Sequence, residues 1–574
     1  MMNYKEKYLE WLNSPVIDEQ TKQELLSIKD DEEEIKNRFI FDLEFGTAGL
    51  RGILGAGSNR MNIYTVAKAT QGLADYINFR GKEYAKKGVA IAYDVRHFSK
   101  EFSEIASSVL TANGIKVYLF EDIRPTPELS FAIRYFKAAS GIVITASHNP
   151  KEYNGYKVYW EEGSQILSEV ADGITNNIKN IKSFEEIKYL DLEKAKEENL
   201  LTIIGKEVDD EYTRLVKSLA IRDEELDKDI KIIYTPLNGT GNIPVRRVLK
   251  ERKFKNVIVV PEQENPDPNF TTVGYPNPED TKAFKYSESL GKEENAEILI
   301  ATDPDCDRLA VEVKDENGEY VPLNGNQTGA ILINYILESK NEKNLINNDG
   351  FIVKSIVTGD LGKVIAESYG VKTYETLTGF KNICGKENEL LKQNKTFHFG
   401  YEESIGYVTG TFVRDKDGVI SSMFLSEAAA YYKTKGKTLL DVLEEIYIKY
   451  GYYRENNFSI VLEGLEGKEK ISNMMINYRK NFPKSINDIK LIKYVDYQEE
   501  KEYDIINNKN SEVDIPKSNV LRFWFEDGSW YAVRPSGTEP KIKVYIYSKG
   551  KTLKESENKL KLFKESILKE LNNI

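Results

Sequence analysis

The sequence predicts an α/β fold: three similar α/β domains with mixed, mostly parallel sheets, followed by a C-terminal α+β domain. Three observations carry this. From residue 62 onward, short apolar, β-branched runs alternate with helix-patterned stretches of about ten residues. In each round a polar or charged motif follows a strand. From residue 453 the alternation gives way to successive β-like runs and one final charged helix. A chain of 574 residues, at about 150 per domain, has room for three or four such units.

Residues 1 to about 44 pattern as charged, amphipathic helices, with Asp30-Asp31-Glu32-Glu33-Glu34 as a solvated helix start. The segment Phe45-Gly46-Thr47-Ala48-Gly49-Leu50-Arg51-Gly52 concentrates glycine around one arginine. It suits either a backbone that approaches another group closely or a flexible connector. Val66 to Phe79 is helix-like, and Val89 to Tyr93 is a strand. Phe102 to Leu110 is a helix, Lys116 to Phe120 a strand, and Pro127 to Tyr135 a helix. The latter enters the strand Gly141-Ile142-Val143-Ile144.

A second round begins near 208. Its strands are Lys231–Tyr234, Asn256–Val260 and Ala296–Ile300, with Leu309–Val313 beyond and a hairpin turn at Asn317-Gly318. A third begins near 324, with a helix over Ala330–Leu337, a strand over Phe351–Val357, a helix over Leu361–Ser368 and a strand over Thr396–Phe399. These boundaries divide the chain into 1–207, 208–322, 323–452 and 453–574.

Composition narrows the function. The formal net charge of −12 argues against nucleic acid or an anionic membrane as partner, so an anionic ligand must be held by a local basic pocket. Two cysteines, Cys306 and Cys384, rule out a disulfide framework and fit a reducing, cytoplasmic setting. The N-terminal stretch lacks the apolar region of a signal peptide, and no apolar run reaches the roughly 20 residues of a membrane span.

Four motifs carry chemistry. Thr145-Ala146-Ser147-His148-Asn149-Pro150 places a serine hydroxyl just past a strand's C-terminal end, where open α/β sheets bind ligands; a polar turn bonded to its own backbone is the alternative. Asp303, Asp305 and Asp307 repel one another unless a cation or basic residues intervene, and hard cations such as Mg²⁺ favour this donor set. An EF-hand is excluded, because Arg308 and Lys314 stand where it needs Gly and Glu. Cys306 between them reads as a small filler. Arg534-Pro535-Ser536-Gly537-Thr538 offers a guanidinium, hydroxyls and open backbone, suited to a phosphate. A serine, a carboxylate cluster and an anion loop are the parts of a phosphoryl-transfer enzyme. The sequence has no GxSxG elbow, no phosphate-binding GxxxxGK[ST] loop and no HExxH. A Ser-His-Asp hydrolase is disfavoured, since adjacent side chains on an extended strand end point apart, taking His148 away from Ser147.

With these residues in view, the chain resembles the α-D-phosphohexomutases, the phosphoglucomutase/phosphomannomutase superfamily. Thr145–Pro150, Asp303–Arg308, Gly400-Tyr401-Glu402-Glu403-Ser404-Ile405-Gly406 and Arg534–Thr538 match its motifs in order, over nearly the whole chain. The resemblance implies an active-site cleft at the centre of four domains, with the C-terminal domain closing as a lid. It implies that Ser147 carries the catalytic phosphate and that Asp303, Asp305 and Asp307 hold Mg²⁺ with a phosphoserine oxygen. Arg51 and Lys157 would assist proton transfer, with His148 beside them in the catalytic set. Arg308, Thr378, Gly379, Glu402 and Ser404 would bind the sugar, and Arg534, Ser536, Gly537 and Thr538 the phosphate that is not transferred.

The sugar motif carries Ile405 between Ser404 and Gly406, where shorter bacterial members have Gly directly after the Ser. With Phe45–Gly52 and Leu377–Lys381, this is similar to the longer branch containing phosphoglucomutases and phosphopentomutases. The implied activity is interconversion of glucose 1-phosphate and glucose 6-phosphate, primed by glucose 1,6-bisphosphate. Mannose or pentose phosphates, a phosphoserine-type phosphatase and a silent sugar-phosphate binder are the alternatives. A monomer and a dimer are equally compatible with the sequence.

Overall fold

The computed structural model describes residues 3–462, 465–536 and 541–572, and its chain contacts divide it into two compact units. The first unit comprises residues 1–328 and 404–438, the second 329–403 and 439–574.

The first unit holds two sheets. One is built from β1 (Leu50–Ile53), β2 (Val89–Tyr93), β3 (Val117–Phe120), β4 (Ser140–Ile144), β5 (Tyr153–Trp160) and β6 (Leu201–Ile204), in the order β1-β5-β4-β2-β3-β6. Its β4-β2-β3-β6 part is parallel, whereas β5 and β1 add antiparallel at one edge. β2 and β4 are buried at every position, which is why they read as unbroken apolar runs and not as alternating ones. Helices Ile63–Phe79 and Ser99–Ala112 cover this sheet; the first opens on an Asn62 capping box.

The second sheet repeats the plan with β7 (Lys231–Thr235), β8 (Asn256–Val259), β9 (Ile298–Thr302), β10 (Leu309–Lys314) and β11 (Tyr320–Leu323), ordered β11-β10-β9-β7-β8. Its β9-β7-β8 core is parallel and its β10-β11 hairpin antiparallel. Helix Gly418–Thr434 packs on this sheet although it comes later in the chain than the third round of strands. Glu427 fixes it there, accepting from the backbone N–H groups of Ile221 and Arg222 at 3.0 Å each and pairing with Arg252.

In the second unit β12 (Gly350–Ser355) runs parallel to both β13 (Lys372–Thr376) and β14 (Thr396–Glu402). Short β15 (Gly406–Val408) returns to the first unit. The C-terminal segment is antiparallel throughout, with β16 (Tyr452–Val461), β17 (Ser485–Ile486), β18 (Ile489–Asp496), β19 (Lys501–Asp504), β20 (Lys509–Glu512), β21 (Leu521–Phe525), β22 (Trp530–Pro535) and β23 (Lys541–Gly550). Phe523, Phe525, Tyr531 and Ile546 pack with Met475 of helix Leu465–Lys480 and with Phe563 and Ile567 of helix Leu553–Asn572.

Within this unit a buried ion cluster ties β21 to the β12-β13 sheet. Arg522 donates to both oxygens of Glu375 at 3.1 Å, and Lys354 lies 2.8 Å from Glu375 and 3.0 Å from Asp360. The Arg522 guanidinium also faces the Trp524 and Trp530 rings at 4.3 and 3.9 Å. The expected three α/β rounds and antiparallel α+β end are therefore present. Among the described residues no helix is long and apolar enough to cross a membrane.

Candidate active site

The first unit assembles the serine and the aspartates. β4 ends at Ile144, and the Thr145 hydroxyl accepts the Ser147 N–H at 2.8 Å, which turns the chain sharply. Ser147 adopts a left-handed φ of 53° and is only 3% exposed. Its hydroxyl donates to Asp303 Oδ2 at 3.1 Å. The same turn overturns the expectation for His148. With Ser147 left-handed, the two side chains are not on opposite faces of a strand, and His148 Nδ1 stands 3.3 Å from Ser147 Oγ. Burial, then the positive charges of Arg308 and Arg51, push the imidazole pKa down to about 2, so at neutral pH the ring is uncharged.

The aspartates lie on the β9–β10 connection. Asp303 Oδ1 accepts the backbone N–H groups of Asp307 and Arg308 at 3.1 Å each, folding the loop back on its first carboxylate. All three side chains are buried, and one oxygen from each lies within 4.8 Å of the others. Asp305 Oδ2 accepts from Lys157 Nζ at 3.0 Å and Thr126 Oγ1 at 2.8 Å, and Asp307 Oδ2 pairs with Lys416 at 2.9 Å. Burial alone would raise Asp305, but Lys157, with Thr126 and Asp303, outweighs it and holds that carboxyl below the usual range. Burial, reinforced by Asp305 and Asp307, raises Asp303 well above it.

Among the described residues, Asp305 Oδ1 and Asp307 Oδ1 are buried without a hydrogen-bond partner. Two orphaned carboxylate oxygens inside a three-aspartate cluster fit a divalent cation. Cys306, fully buried on the same loop, fills space as expected.

Arg51 and Lys157 come from paired strands. β1 lies against β5 with Leu50 opposite Tyr156 and Arg51 opposite Gly155. This register needs glycine twice. A Cβ on Gly49, whose φ is +73°, would sit 1.9 Å from the Tyr156 carbonyl oxygen; one on Gly155 would sit 2.5 Å from that of Thr145. Close backbone approach therefore explains Gly49, whereas Gly46 has open space around it. Arg51 lies in the electrostatic field of Asp305, Arg308 and Asp307. Thus Arg51, Ser147, His148, Lys157, the three aspartates and Arg308 form one cluster.

The second unit gathers a different set. Glu402, at the end of β14, accepts the Gly379 N–H at 2.6 Å, which brings Thr378-Gly379 beside it. The Tyr545 phenol on β23 is pushed above its ordinary range by burial first and then by Glu403, while Arg534 pulls the other way. Arg534 and the Glu402-Glu403 pair are thus neighbours of one phenol. Ser536 N–H donates to the Lys541 carbonyl at 2.8 Å, and Gly537 and Thr538 lie outside the described residues. Ser404 belongs to the first unit. Sequence reasoning missed Thr126, Lys416 and Arg96. Each supports the site through contacts over long sequence separations, and nothing in its local pattern signals that.

Comparison with known proteins identifies the family. Family models described as phosphoglucomutase/phosphomannomutase match in order: alpha/beta/alpha domain I over residues 42–185, domain II over 210–318, domain III over 324–450 and the C-terminal domain over 492–556. A curated phosphoglucomutase of Staphylococcus haemolyticus (strain JCSC1435) is 39% identical over 508 residues, spanning 88% of this chain and 90% of its own length. The phosphoglucomutase of Staphylococcus aureus (strain MRSA252) is 38% identical over 514 residues, spanning 89% and 91%. Among solved structures, parafusin (phosphoglucomutase) from Paramecium superposes with a TM-score of 0.66 at 20% identity, over 91% of this chain and 94% of that one. A phosphoglucomutase/phosphomannomutase family protein from Burkholderia thailandensis gives 0.66 at 17%, over 92% and 97%; at such identities these two speak for the fold. Matched in all four domains and by full-length relatives, the chain belongs to the phosphoglucomutase/phosphomannomutase family.

Proposed function

We propose that the protein is a phosphoglucomutase, interconverting α-D-glucose 1-phosphate and glucose 6-phosphate through a phosphoserine at residue 147 and glucose 1,6-bisphosphate. The observation that carries this reading is the Ser147 hydroxyl 3.1 Å from Asp303, within a buried aspartate cluster flanked by Lys157 and Arg51. Relatives at 38–40% identity carrying that name support the choice of sugar.

Asp303, Asp305 and Asp307 would hold Mg²⁺, with Ser147 supplying a further oxygen. When bound, the cation draws electron density from the phosphoryl oxygens. Ser147 gives its phosphoryl group to the C6 hydroxyl of glucose 1-phosphate. The bond from phosphorus to the serine oxygen breaks as the bond to the C6 oxygen forms, and the hydroxyl proton passes through the Lys157 and Arg51 pair to the serine oxygen. The same exchange in reverse at C1 returns a phosphoryl group to Ser147 and leaves glucose 6-phosphate. His148, uncharged at neutral pH, adds a polar ring beside the nucleophile without adding charge. Arg308, Thr378, Gly379, Glu402 and Ser404 are assigned to the sugar, and Arg534, Ser536, Gly537 and Thr538 to the phosphate not being transferred. A cytoplasmic setting suits two buried cysteines that form no disulfide.

The test is turnover of glucose 1-phosphate, mannose 1-phosphate and ribose 1-phosphate with bisphosphate primer. Glucose 6-phosphate should form with the highest kcat/KM. Ser147→Ala and chelation by EDTA should each abolish it, with Mg²⁺ restoring the chelated enzyme. Release of inorganic phosphate in place of glucose 6-phosphate would mark a phosphatase and reject the reading.

A further inference from the structure

The serine loop is held by a residue outside the motif that contains it. Arg96 follows β2 in the turn Asp94-Val95-Arg96-His97 and is 3% exposed. Its guanidinium spreads over four backbone carbonyls of the loop and its exit. Nη2 donates to the Ser147 and Asn149 oxygens at 2.6 and 2.5 Å, and Nη1 to those of Pro150 and Tyr153 at 2.8 and 3.1 Å. Nε faces Asp94 Oδ2 at 3.3 Å. Asp94 Oδ1 in turn accepts from the Arg96 backbone N–H at 2.9 Å and the Ser99 hydroxyl at 2.8 Å. The Phe270 ring, from the β8–β9 connection, lies 5.0 Å from the guanidinium carbon. Arg96 is therefore held by Asp94 and Phe270 as well as by the loop.

Four carbonyls drawn to one side set the direction of everything else in the loop. Holding the Ser147 carbonyl on the Arg96 side fixes the left-handed φ of Ser147, and with it the aim of Oγ at Asp303. An ammonium cannot copy this. It offers three donors from one point, whereas the planar guanidinium reaches four acceptors and the Asp94 carboxylate at once. The positive charge of Arg96 is matched by Asp94, so geometry is the guanidinium's main contribution. We infer that Arg96 is a positioning residue for phosphoryl transfer, clamping the 147–150 loop so that the serine oxygen keeps its place whether or not it bears a phosphoryl group. The kinetic part rests on the phosphoserine mutase reading above; the clamp itself does not.

Two measurements separate the two. In the full-length protein, hydrogen exchange at residues 145–153 should speed up in Arg96→Lys, with β7 and β9 unchanged. That result needs no assumption about the reaction, and unaltered exchange would overturn the clamp. In mutase assays Arg96→Lys should lose about 10²-fold in kcat with KM for glucose 1-phosphate unchanged, because the interaction matters when the serine oxygen must be in line. In Arg96→Ala, millimolar guanidinium chloride should restore part of kcat, while equal potassium chloride does not. A wild-type kcat in Arg96→Lys, or a loss confined to KM, would overturn the positioning role. Failure of both variants to fold would also overturn it, in favour of a purely structural one. If the wild-type protein shows no mutase activity, it is the parent reading that falls, and the exchange result still decides the clamp.

Discussion

Glu312 illustrates how one side chain sets a pH dependence away from the site. It lies on β10 with both carboxylate oxygens buried and, among the described residues, no donor to them; its neighbour is the Glu288 carboxyl, with which it can share a proton. Burial first, and then Glu288, raises its pKa from 4.5 to about 8. The folded state therefore binds a proton that the unfolded chain gives up. The resulting stability is fully present below about pH 4.5, falls as pH rises, and is gone by about pH 8. Glu312→Gln should melt with the parent at low pH and above it in mildly alkaline buffer, as thermal scans across the range will show; parallel curves would refute the assignment. At this scale, residues whose chemistry shows in their own neighbours were legible. Ser147 past a strand end and aspartates at alternate positions announce themselves. His148 was misplaced because its orientation hangs on one left-handed φ at Ser147, which a pattern of polar residues does not encode. Lys157 was within reach only through the family likeness, since its partner Asp305 is 148 residues away.

At the scale of elements, the β1-β5 pairing shows what a glycine holds in place. A methyl group on Gly155 would meet the Thr145 carbonyl at 2.5 Å, just past β4 where the serine loop begins, and the Leu50 carbonyl at 2.9 Å, on the strand that carries Arg51. Gly155→Ala should lower the melting temperature and reduce turnover together. Gly46→Ala, with nothing within 4 Å, should leave both nearly unchanged. Equal behaviour of the two variants would discount the register argument. Parallel strands such as β2 and β4 were legible because burial on both faces leaves an unbroken apolar signature. β1 was not, because a strand of four residues inside a glycine-rich segment lacks that signature. Helix Gly418–Thr434 could not be read from the sequence as a partner of the second sheet. Its residues through Tyr432 are buried on all sides, so no amphipathic stripe indicates a packing direction.

At the scale of the molecule, the buried cluster of Lys354, Asp360, Glu375 and Arg522 is the point where the second unit's two sheets depend on each other. Two buried cations face two part-buried carboxylates, and removing Arg522 leaves Lys354 alone against two negative charges. Arg522→Met should destabilise this unit by about 3–5 kcal/mol. Trp524 and Trp530 flank Arg522, so the urea-unfolding transition reported by their fluorescence should move to lower concentration. An unmoved transition would show that packing of Val357, Val520 and Tyr547 alone holds the two sheets. The succession of three α/β rounds and an antiparallel end was legible from periodicity alone. The grouping into two units was not, because it arises from contacts such as Arg522–Glu375 that join segments 147 residues apart.

The hydrogen bond from Ser147 to Asp303 has a consequence for chemical labelling. The Ser147 hydroxyl donates to Asp303, and among the described residues no carboxylate is hydrogen-bonded to the His148 ring to orient it as a base, so the pair lacks the third member that primes a hydrolase serine to attack electrophilic phosphorus. Fluorophosphonate reagents that tag serine hydrolases should therefore pass this protein by, even though a serine and a histidine stand side by side in it.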